Sequence, residues 1–110
     1  MMLREIVNRS AGLTIQEMRC DQEDYYEVVV LNREIDRWEK ILTAILGLPR
    51  KPKGVKPSED DLTLTKGSGG IRLNQTLYER SFGDYTIIAK FWPWDDNEHT
   101  TIKMAHLALI

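Results

Sequence analysis

Gly47-Leu48-Pro49-Arg50-Lys51-Pro52-Lys53-Gly54-Val55-Lys56-Pro57-Ser58-Glu59-Asp60-Asp61 separates two halves of the chain that have different hydrophobic periods. Ahead of it, apolar residues recur every three or four positions: Val28, Leu31, Ile35, Trp38, Leu42, Ile45. Behind it they alternate: Ile71/Leu73, Tyr85/Ile87/Ala89/Phe91, Ile102/Met104. A period near 3.6 buries one stripe of a helix, and a period of 2 buries one face of a strand. The fold class that follows is α+β: an N-terminal helical region packed on a C-terminal antiparallel β-meander of about four strands. At 110 residues the chain has the size of a single domain, 1–110. Within it, 1–47 reads as mainly helical, 48–61 as a proline-rich loop, basic and then acidic, and 62–110 as antiparallel sheet.

Toward the N-terminus, the main helix is expected over about 24–46. Asp24 with Glu27 makes a cap-like pair, Gly47 is placed to follow the last turn, and Pro49 blocks continuation. Val28-Val29-Val30 pulls the other way, because β-branched residues favour strand; on that reading the helix begins only at Asn32. Thr14 with Glu17 fits a capping box, yet Leu13 and Ile15 alternate like a strand. Residues 13–31 thus stay open between helix and strand. Leu3, Ile6 and Val7 sit at helical spacing in a short first segment that Gly12 interrupts.

Toward the C-terminus, the hinge itself reads as loop, since prolines exclude helix and regular sheet. Strands are expected at Leu62/Leu64, from Ile71 to about Arg80, from Tyr85 to Trp92, and from His99 to about Leu109. Lys66-Gly67-Ser68-Gly69-Gly70, Phe82-Gly83-Asp84 and 93–98 are the turns.

Composition excludes several function classes. With 42% hydrophobic and 29% charged residues the chain is ordinary globular protein, not disordered. A net charge of −2 predicts no strong pull toward nucleic acid or acidic membranes. Cys20 is the one cysteine, so no intrachain disulfide forms and a reducing compartment is favoured. Met1 to Glu5 has no signal-peptide pattern, and no apolar run approaches the ~18 residues that span a bilayer. A cytoplasmic protein without a membrane partner is expected.

Four groups of residues are candidate sites. Arg50, Lys51, Lys53 and Lys56 put four cations and no acid within 49–57, which suits phosphate contact. Glu59-Asp60-Asp61 follows at once, and no interleaved aromatic accompanies them, so the plainer reading is a solvated loop. The glycine turn 66–70 resembles a phosphate cradle only in composition, because its lysine precedes the glycines and a strand follows. In Phe91-Trp92-Pro93-Trp94, alternation puts Phe91 on the buried face and Trp92 on the other. Pro93 ends regular pairing, which leaves an indole near the sheet's end, either as a contact surface or as a cap on the core. Asp95-Asp96-Asn97-Glu98-His99 offers oxygen ligands and an imidazole, but its residues are equally good turn formers. His99 and His106 are seven apart, so a regular strand points them to opposite faces and they do not chelate one metal. No catalytic residue, cofactor or metal is assigned. The leading expectation is a non-catalytic interaction module that uses Trp92, Trp94, Asp95, Asp96 and His99 to take a protein partner or a second copy. The alternatives are a ligand-binding protein or enzyme with a helix–sheet pocket near His99, and weak nucleic-acid binding through Arg50 to Lys56.

Overall fold

The computed structural model describes residues 2–108. It contains helix α1 (Met2–Arg9), strands β1 (Glu17–Asp21) and β2 (Tyr25–Leu31), helices α2 (Ile35–Leu46) and α3 (Glu59–Thr65), and strands β3 (Thr76–Ser81), β4 (Tyr85–Pro93) and β5 (His99–Ala108). The strands form one antiparallel sheet in the order β1-β2-β5-β4-β3. The fold is α+β, as the change of period implies, with five strands. The expected continuation of the last strand to Leu109 lies outside the described residues.

The extra strands come from the segment that was open between helix and strand. Tyr25–Leu31 is a strand paired on both sides, by β1 and by β5. Tyr26, Val28, Val29 and Val30 are all buried, so both of its faces are covered. A strand covered on both faces needs no alternation, and β-branched residues suit it better than a helix. The three-residue step from Val28 to Leu31 is coincidental. The main helix is thus shorter than 24–46: a 3₁₀ turn at Asn32–Glu34 leads into α2, and Gly47, at φ 85°, ends it with an N–H bond to Thr43 O of 2.9 Å. Residues 17–21 are likewise strand.

A second correction concerns the hinge. Glu59–Thr65 is a helix, where loop and then a short strand at Leu62/Leu64 were expected. Ser58 and Asp61 form a reciprocal capping box: Ser58 Oγ accepts from the Asp61 N–H, and the Asp61 carboxylate accepts from the Ser58 N–H. Helical geometry leaves Leu62 exposed and packs Leu64 against the sheet. β3 also starts later than Ile71, at Thr76, because the chain over 66–75 crosses the sheet instead of joining it.

The sheet has two covered faces. α1 and α2 lie on the first, where Leu3, Ile6, Trp38, Leu42 and Ile45 pack on Tyr26, Val28, Ile87, Phe91 and Ile102. The second face carries a smaller cluster, Ile71, Leu77, Ile88 and Ala105, under α3 and the 66–75 segment. At the β3 edge, Lys51 exchanges both backbone hydrogen bonds with Leu77. No helix of the described residues is long and apolar enough to cross a membrane.

Candidate binding site

Alternation along β4 directs Ile87, Ala89 and Phe91 into the first face and Ile88, Lys90 and Trp92 into the second. Pairing runs one step past Pro93, because the Trp94 N–H donates to His99 O at 2.9 Å. Trp94 therefore lies on the same side as Trp92, and its Nε1–H donates to Thr101 Oγ1 at 2.8 Å. The two indoles, with Arg72, Asn74, Gln75, Pro93, Asp95 and Thr101, line a cleft of about 380 Å³.

Each indole is held differently. Trp94 is 38% exposed. His99 lies 4.9 Å from its ring centroid, and the Arg19 guanidinium lies 5.6 Å over it. Arg19 stands two residues from Glu17, whose partner is Val29, so ordinary alternation puts it on the same face as Glu17, Glu27 and Trp94. Glu17 and Glu27 flank the guanidinium as ion partners. Trp92 is half-buried. Gly69, at φ 95°, packs on its edge so closely that a Cβ there would stand 3.0 Å from Cη2. The Lys103 ammonium sits 3.5 Å from its ring centroid, and the Trp92 Nε1–H is buried without a partner among the described residues.

The acidic turn beside the cleft is self-bonded. Asp96 Oδ1 accepts from the Glu98 and His99 N–H groups, at 2.9 and 3.0 Å, and Asp96 Oδ2 lies 2.6 Å from His99 Nδ1. The Glu98 N–H, followed by the His99 ring, holds the Asp96 carboxyl below its usual range. Ligand atoms of Asp96, Glu98 and His99 lie within 4.8 Å of one another, so these three could hold a cation, but the Asp96 oxygens are already engaged within the turn. His106 projects from the opposite face of β5 and stacks on Tyr85 at 4.6 Å.

The hinge cations do not converge. Arg50 pairs with Asp61 at 2.7 Å and with Glu79 at 3.1 Å. Lys51 is buried, and its ammonium donates to the carbonyls of Pro52, Leu73 and Gln75. Lys53 and Lys56 are exposed. The glycine turn has the opposite polarity to a phosphate cradle: Ser68 O, Ser68 Oγ and Gly70 O accept from the buried Lys90 ammonium. Burial, and then the charge of Lys103, push that amine down to about 8.

Trp92, Trp94, Asp95, Asp96 and His99 thus gather at one end of the second face. Reading the sequence missed Arg19, Arg72, Lys90 and Lys103. Parity alone puts Lys90 and Lys103 opposite Phe91 and Ile102, but only the cover over that face shows that Lys90 is buried. The chain matches no protein-family model, no curated protein and no solved structure.

Proposed function

We propose that this chain is a small, non-catalytic binding module whose contact surface is the Trp92–Trp94 cleft. The observation that carries this reading is the pairing of two indoles on one sheet face around a cleft of about 380 Å³, with Trp94 partly open to solvent. Indoles anchor contacts because they bury much area at small entropic cost. Asp95, Asp96 and Glu98 form a polar rim beside them, the usual anatomy of a contact patch. The partner in this reading is another protein or a second copy of the chain. The lone cysteine, Cys20, favours a reducing compartment, so the cytoplasm is the proposed setting.

Trp94→Ala tests it. The change should leave the thermal melt nearly unchanged, because the side chain is partly exposed, and should weaken self-association or partner capture in sedimentation. Clear destabilisation with unchanged assembly would sink the proposal and make Trp94 a cap on the core.

A further inference from the structure

A larger groove, about 550 Å³, lies on the same face between the glycine turn and the neighbouring ends of β2 and β5. Leu64, Ala105 and Leu107 give it apolar lining, and Lys103, whose ammonium lies over the Trp92 ring, lines it as well. Register sets Glu27 directly across from Lys103, a placement that normally produces a cross-strand ion pair. Here both Glu27 oxygens are engaged elsewhere: Oε1 accepts from the Tyr25 hydroxyl at 2.6 Å, and Oε2 faces Arg19 at 3.7 Å. Lys103 rests on the Trp92 ring and makes no ion pair among the described residues. A ring quadrupole attracts a cation without neutralising it, so the charge stays available to an anion. The other amine on this face, Lys90, already serves Ser68 and Gly70. One free ammonium accommodates one negative charge, and Asp24 on the groove wall opposes a second.

We propose that this groove binds a small amphipathic monocarboxylate, with its apolar part against Leu64, Ala105 and Leu107 and its carboxylate on Lys103. This inference stands apart from the tryptophan cleft, and either can fail without the other. Octanoate, octanol and octyl phosphate are suitable probes, titrated calorimetrically at neutral pH into the full chain. Octanoate should bind one-to-one and at least tenfold more tightly than octanol. Amide shifts should appear at Leu64, Ala105 and Leu107. Lys103→Gln should bring the two affinities within twofold, and Lys103→Arg should keep them apart. The comparison of probes on the unmodified protein decides the matter even if a variant fails to fold. Absent or equal binding of octanoate and octanol, tighter binding of octyl phosphate, a preference that survives Lys103→Gln, or shifts confined to the Trp94 cleft would each overturn it.

Discussion

A lysine in the middle of a strand ordinarily marks the solvent side of a sheet, since a buried ammonium must find acceptors for all three of its protons. Lys90 sits in such a position and is 1% exposed, because the 66–70 turn lays two carbonyls and a hydroxyl on it. Its pKa of about 8 lies below the ordinary 10.5, so between those values the unfolded chain binds more protons than the folded one. Stability then rises with pH across that interval, and the cost of the buried charge is fully present below about 8. Lys51, lowered by burial, contributes with the same sign. Tyr25, Tyr26 and Tyr78 oppose it near their ordinary value of 10.0, because burial favours their protonated forms. The expected outcome is a denaturation midpoint that climbs from about pH 8 to just below 10, with the climb reduced in Lys90→Met; a flat or falling wild-type midpoint there would contradict it. The other residues of the site were unequally legible. The facing of Trp92 followed from parity with Phe91. Arg19 over Trp94 did not, because its strand lies in the segment left open between helix and strand, where no parity could be read.

At the scale of elements, the errors share one cause: short segments whose structure is decided by neighbours or caps instead of by period. β2 was hidden because a strand with both faces buried has no alternation to show. α3 was hidden because Leu62 and Leu64 alternate by chance over a helix of only seven residues. Its legible sign was Ser58 with Asp61, the reciprocal cap that follows Pro57. Ser58→Ala should cost about 1 kcal/mol, read as a lower denaturation midpoint at constant slope. Burial alone would raise the Asp61 carboxyl, but the Ser58 backbone, Arg50 and the Ser58 hydroxyl outweigh it and hold it below its usual 3.8. The stabilisation from that carboxylate is present above 3.8 and fades as pH falls below it. α2, by contrast, was legible over its whole observed length, since Trp38, Leu42 and Ile45 keep helical spacing and Gly47 stops it.

For the whole molecule, the change of period gave the class of fold but not the second cover of the sheet, which comes from residues that look like loop. α1 and α2 close the first face around Trp38, which is fully buried, its Nε1–H unpartnered among the described residues. Trp38→Ala should therefore cost ~3–5 kcal/mol in chemical denaturation, and a loss under 1 kcal/mol would mean that α2 does not pack as described. The two rims of the sheet differ. At β3 the rim is occupied by the Lys51 backbone and by Arg50 reaching to Glu79, whereas β1 is short, bulged and mostly exposed. Neither rim thus offers a long, flat ladder: one is blocked at Leu77, and the other is too short and too kinked at its bulge to template a further strand. Both devices work against strand-to-strand addition and so against growth of the chain into a fibre.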